Sequence, residues 1–72
     1  MKQFDAFVDL YVDWQRKRHE NNPYWETKED IIENCGGESQ LEGLYNLWTW
    51  ASPEKQKETC GFTYDDLLKY NQ

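Results

Sequence analysis

Asp5, Asp9 and Asp13 recur at every fourth residue of a segment that also carries Phe4, Phe7, Val8, Tyr11 and Trp14. At 100° per residue the three carboxylates fall within about 80° of one another, and the apolar group centres nearly opposite them. This spacing predicts a two-faced helix over residues 3–19. Its acids come early, and Arg16, Lys17, Arg18 and His19 come late, which suits the helix macrodipole at both ends. The basic quartet therefore reads as favourable charge at a helix C-terminus rather than as a nucleic-acid patch.

The rest of the chain is punctuated as further short helices. Asn21, Asn22 and Pro23 end the first, and Tyr24 and Trp25 follow in a loop. Thr27 is the expected N-cap of a second helix, with Glu29 and Asp30 in its first turn, and Gly36-Gly37 stops it near Cys35. A third helix is predicted from about Ser39 to Ala51, with Leu41, Leu44, Tyr45, Leu47, Trp48 and Ala51 on one arc. Trp50 projects roughly 160–180° away from Leu41 and Trp48. Ser52 followed by Pro53 starts a fourth helix through Cys60, and Gly61 ends it. Thr63 caps a last helix bearing Tyr64, Leu67 and Leu68. No alternating β-branched run argues for a strand. The expectation is an all-α single domain over residues 1–72, a bundle of four to five short helices.

A chain of 72 residues buries only about 60% of the surface its unfolded form exposes, so it needs large side chains, a staple or a partner. Four Trp, five Tyr and three Phe meet that need, since each ring can bury roughly 150–250 Å². The core is expected to hold Phe4, Phe7, Val8, Tyr11, Trp14, Ile31, Ile32, Leu41, Leu44, Leu47, Trp48, Phe62, Leu67 and Leu68.

Charge is distributed unevenly. Residues 20–42 carry Glu20, Glu26, Glu29, Asp30, Glu33, Glu38 and Glu42 against Lys28 alone, which equals the formal net charge of −6 for the whole chain. Such a block repels phosphate backbones and attracts basic surfaces within a screening length of about 8–10 Å. Glycine-bounded helices around residues 31–45 could pack as a helix-turn-helix. The second of them opens with Glu38 and Glu42 and has no Lys or Arg, so its charge opposes duplex binding.

Catalytic chemistry has little to stand on. His19 is the only histidine, and Cys35 and Cys60 form no C-x-x-C pair. A disulfide between them would close a loop of 24 residues, but two free, partly buried thiols in a reducing cytoplasm is the simpler account. Glu29, Asp30 and Glu33 are adjacent on a helix, yet no EF-hand ladder surrounds them or Asp65-Asp66. Phosphate-binding glycine loops and the nucleophile-elbow motif are missing. No apolar h-region or membrane span is visible. The residues point to no enzyme, no metal and no cofactor.

What remains is recognition of another protein. Glu26, Glu29, Asp30, Glu33, Glu38 and Glu42 are the candidate steering charges. Trp50, Tyr24 and Trp25 fit no core arc and are the candidate anchors, Tyr24 and Trp25 having the alternative role of a plug over the junction of the first two helices. In size, acidity and aromatic content the chain is similar to small accessory or inhibitor proteins of phages and mobile elements, a likeness of composition alone. The leading expectation is a non-enzymatic acidic protein on a basic surface of a larger protein or nucleoprotein. Its sharper form is a nucleic-acid mimic with Asp5, Asp9 and Asp13 extending the block. The alternatives are a homo-oligomer or small subunit of an assembly, and a metal-binding or Cys-dependent protein.

Overall fold

In the computed structural model, which describes residues 3–70, the two-faced segment is a helix, α1, over Gln3–Arg18. Its apolar side is buried through Ala6, Phe7, Val8, Tyr11 and Val12. Phe7 is the hub: fully buried, it packs against the rings of Phe4, Tyr11, Tyr45, Trp48 and Phe62 at centroid distances of 5.0–6.5 Å. Rings from α1, from a later helix and from a late loop thus meet on one side chain. Edge and offset contacts of this kind add roughly 0.5–1.5 kcal/mol each beyond area burial.

Local capping chemistry sets the other element ends. A single 3₁₀ turn covers Pro23–Trp25 and is followed by α2, Lys28–Asn34. Thr27 Oγ1 accepts the Asp30 N–H at 3.1 Å, as an N-cap should. At the other end of α2 the Gly37 N–H donates to the Ile32 carbonyl at 2.9 Å and the Gly36 N–H to the Glu33 carbonyl at 3.1 Å. This is a Schellman stop, and Gly36 at φ +98° supplies the left-handed residue it needs. Helix α3 spans Glu38–Thr49 and α4 spans Pro53–Cys60, the latter capped by Ser52 Oγ with Pro53 in its first turn. Helix α5 spans Tyr64–Tyr70. Thr63 Oγ1 accepts the Asp66 N–H at 3.3 Å and Asp66 Oδ2 accepts the Thr63 N–H at 2.9 Å. That reciprocal box holds the Asp66 carboxyl below the usual carboxylate range, chiefly through the Thr63 backbone bond. The fold is all-α, with five α-helices and no strand among the described residues.

Helix α4 is polar along most of its length and is docked by a buried amide. Gln56 is 4% exposed. Its Nε2 donates to the Trp48 carbonyl at 2.9 Å, and its Oε1 accepts the Tyr64 N–H at 3.0 Å. Beside it, the Trp48 indole N–H donates to the Phe62 carbonyl at 3.3 Å. Buried polar groups at the ends of three helices are thereby satisfied, which avoids a cost of roughly 1–3 kcal/mol for each left unpaired.

Two expected core residues lie outside. Leu47 is 76% exposed and Leu68 is 38% exposed. The buried arc of α3 centres on Leu41 and Trp48, and Leu47 sits about 100° from Trp48, toward α4. The polar side chains of short α4 do not cover it. Conversely, Val12, Gln15, Gln56 and Cys60 are buried although the sequence pattern does not mark them as core.

Candidate functional site

Turning away from its buried arc, α3 presents Glu38, Glu42, Tyr45, Asn46, Thr49 and Trp50 along one side. The start of α1 lies against that side and makes two adjoining clefts. One, of about 360 Å³, is lined by Phe4, Asp5, Glu38, Glu42, Tyr45 and Asn46. The other, of about 340 Å³, shares Tyr45 and is lined also by Gln3, Thr49, Trp50 and Tyr64. The first is acidic and the second aromatic. Tyr45 stands between them, held by edge contacts to Phe4 and Phe7 at 5.5 and 5.2 Å. Burial pushes its phenol upward from the ordinary value, with Tyr64 adding to the effect.

The nearby cations are engaged elsewhere. Lys17 pairs with Asp13 at 3.0 Å and Lys28 with Asp9 at 3.0 Å. The Asp9 hydrogen bond raises the Lys28 ammonium above its usual range, and Asp5 and Glu29 reinforce it. Arg16 Nε donates to the Glu26 backbone carbonyl at 2.9 Å, and Arg18 lies over the Trp14 ring at 4.5 Å. Among the described residues, no ion pair joins a cation to Glu20, Glu26, Glu29, Asp30, Glu33, Glu38 or Glu42. All of these carboxylates are exposed except that of the half-buried Asp30. Of the three α1 aspartates, Asp5 joins Glu38 and Glu42, while Asp9 and Asp13 are occupied by lysines.

The three candidate anchors behave differently. Trp50, the C-cap of α3, is 91% exposed at the rim of the aromatic cleft. Tyr24 is 73% exposed on a braced backbone, because Asn22 Oδ1 accepts its N–H at 3.0 Å and Asn34 Nδ2 donates to its carbonyl at 2.6 Å. Trp25 is half-buried and stacked on His19, with centroids 3.9 Å apart and planes 16° from parallel. It plugs the junction of the 3₁₀ turn and the end of α1, so it belongs to the fold rather than to an open contact surface. His19 is likewise committed, which the basic run around it does not disclose.

Both cysteines are free. Cys60 is fully buried, and burial pushes its thiol up to about 12, the reverse of what a nucleophile requires. Burial also raises the half-buried Cys35 thiol, against a lowering hydrogen bond from Tyr11. No group of three or more His, Cys, Asp or Glu side chains among the described residues could hold a metal ion. No helix among them is long and apolar enough to cross a membrane.

Gln3, Tyr45 and Tyr64 complete the clefts, and the sequence alone does not single them out as site residues, while Asp5 enters there only as an extension of the acidic block. The i, i+4, i+7 stripe of Glu38, Glu42 and Tyr45 on α3 is the available signal, whereas the residues of α1 and α5 reach it only through tertiary packing. The chain matches no known protein-family model, no curated protein and no solved structure.

Proposed function

We propose that this domain is a non-enzymatic acidic binding protein that occupies a basic surface of a larger protein or nucleoprotein. The observation that carries the reading is that, among the described residues, no cation pairs with the carboxylates of residues 20–42, while Arg16, Lys17, Arg18 and Lys28 are turned to other partners. Those charges remain available to steer and select a cationic target. In its sharper form the reading is nucleic-acid mimicry, with the carboxylates standing where phosphates would stand in a nucleic-acid-binding groove. Association should weaken sharply as salt rises, because nearly all of these carboxylates are exposed to solvent and are screened by its ions. The test is capture of partners from cell extract at low and high salt by the wild type and by a Glu29→Lys, Asp30→Lys, Glu33→Lys triple variant. Loss of capture in the variant, and displacement of the domain by added duplex, are expected. Binding indifferent to charge reversal would refute the reading.

A second reading, self-association, is favoured by the exposed Leu47, which shares an apolar groove with Leu44, Ala51 and Thr59. Light scattering across a concentration series separates the two: a strict monomer at high concentration removes it.

A further inference from the structure

The aromatic cleft and the acidic cleft lie end to end, and together they suit a particular kind of occupant. We infer that the aromatic cleft receives an arginine side chain from an extended segment of a partner protein, and that the acidic cleft receives a second cation three or four residues along. This inference rests on the reading of the domain as a binder of basic protein surfaces and specifies where and how it binds.

Among the described residues, the aromatic cleft has no formal charge of its own. Two of its polar groups are already satisfied: Tyr64 OH donates to Gln3 Oε1 at 2.9 Å and Thr49 Oγ1 donates to the Asn46 carbonyl at 2.8 Å. What it offers a ligand is chiefly the π-faces of Tyr45, Trp50 and Tyr64. Two of these rings are fixed by the core, Tyr45 against Phe7 at 5.2 Å and Tyr64 against Trp48 at 6.0 Å. Trp50 is 91% exposed, yet its backbone is anchored by the N–H bond to the Leu47 carbonyl at 3.2 Å. A ring so placed can close over a guest at little cost in order. Aromatic faces in an acidic setting attract cations, and the planar guanidinium stacks on them better than the compact, strongly hydrated ammonium does.

Charge complementarity selects the direction of the segment. The adjoining cleft holds Asp5, Glu38 and Glu42, and among the described residues neither cleft is lined by a lysine or arginine. Lys28, which lines the next cleft beside Asp5, is paired with Asp9 at 3.0 Å. From Trp50 back to Glu42 is eight residues of α3, or about 12 Å of axial rise at 1.5 Å per residue. An extended chain covers that in three or four residues at roughly 3.3 Å each. The segment therefore carries its two cations at that spacing.

The test is an NMR titration of the isotopically labelled full chain with a capped glycine peptide bearing two arginines three residues apart. A peptide with citrulline at both positions is the control, since it keeps the shape and loses the charge. Expected are saturable shifts at the Trp50 indole N–H and at the amides of Tyr45, Thr49 and Tyr64, with none from the citrulline peptide. Trp50→Ala should weaken binding about 5- to 30-fold, and Glu42→Gln should weaken it several-fold. Glu54→Gln, exposed on α4 and outside both clefts and the acidic block, should leave it unchanged. Because Trp50 is exposed, its loss leaves the fold intact, and the amide spectrum of the variant reports this directly. Absence of saturable shifts, equal response to citrulline, or binding unaltered by Trp50→Ala would overturn the inference. Peptide binding insensitive to Trp50→Ala, with extract capture still abolished by reversal of Glu29, Asp30 and Glu33, sinks the aromatic cleft and leaves the broader reading standing. Cleft binding with capture indifferent to those reversals does the opposite.

Discussion

Replacing Gly61 with alanine should be among the most damaging single-methyl additions in this molecule. Gly61 closes α4 in the left-handed conformation, φ +83° and ψ 0°, with its N–H donating to the Lys57 carbonyl at 2.8 Å. A β-carbon there would fall well inside 3.0 Å of Trp14 Nε1, Cδ1 and Cε2, closer than side chains tolerate. Trp14 has little freedom to retreat, since it packs on Tyr11 at 5.8 Å on one side and carries Arg18 at 4.5 Å on its ring. The left-handed backbone costs an L-residue about 1–2 kcal/mol. Displacing a packed indole costs about 1–3 kcal/mol more. Together these remove a large part of the roughly 4–11 kcal/mol that a domain of this length holds in total. At about 4–8 °C per kcal/mol, the midpoint of thermal unfolding should fall by about 8 °C or more. The clash and the backbone strain separate in a double-mutant cycle with Trp14→Leu, followed by circular dichroism on melting and in urea. Leucine removes the obstruction and leaves the strain, so the double variant should be less damaged than the two single costs predict, by about 1–3 kcal/mol. Additivity within about 0.5 kcal/mol would show that Trp14 does not block the position.

Two tryptophans two residues apart should respond in opposite ways: Trp48→Ala, 2% exposed in the wild type, is expected to cost about 3–5 kcal/mol, and Trp50→Ala, 91% exposed, less than about 0.5 kcal/mol, by urea unfolding. Gly43 lies within α3, and a methyl added there would meet no atom within 4 Å, so Gly43→Ala should raise stability by about 0.5–1 kcal/mol, read as a higher melting midpoint. The Cys60 thiol stays protonated in the native state up to about pH 12, whereas the unfolded thiol ionises near 9. Below that lower value its contribution is fully present. As pH rises from about 9 to 10 the unfolded chain alone releases the proton at this site, and stability should decline by about 1 kcal/mol, the slope approaching about 1.4 kcal/mol per unit above that. Cys60→Ala should flatten that interval, and an unchanged slope would refute the assignment. Native-state alkylation should modify Cys35 well before Cys60, whose side chain is sealed from solvent.

Element ends were legible wherever the information is local. Thr27, Ser52, Thr63, Gly36-Gly37 and Gly61 each stop or start a helix through bonds reaching no more than five residues, so the sequence suffices to place them. The direction of Trp50 was equally plain, because a helical wheel needs no neighbour to say which side is opposite Trp48. Burial of an individual residue is another matter. Leu47 has the right period for the core and the wrong neighbour, since α4 offers it polar side chains. Trp25 has no partner in its own stretch of sequence, and only the fold lays His19 against it. The acidic block was visible in the sequence, but its division was not. Asp5 meets Glu38 and Glu42 only because α1 crosses α3, and Asp9 is withdrawn by Lys28 from 19 residues away.

The amide at position 56 imposes a lasting restriction on how this chain can drift. Among flexible side chains of this reach, only the glutamine carboxamide presents a donor to one carbonyl and an acceptor to one N–H from a single planar group at neutral pH. Glutamate lacks the first, lysine the second, and asparagine the reach of one methylene. The six exposed residues of its short helix from Pro53 to Thr59 can therefore vary widely in polarity and charge, while that single letter is held fixed by neighbours on both sides. A library of variants across residues 53–59 should recover one invariant column amid broad tolerance.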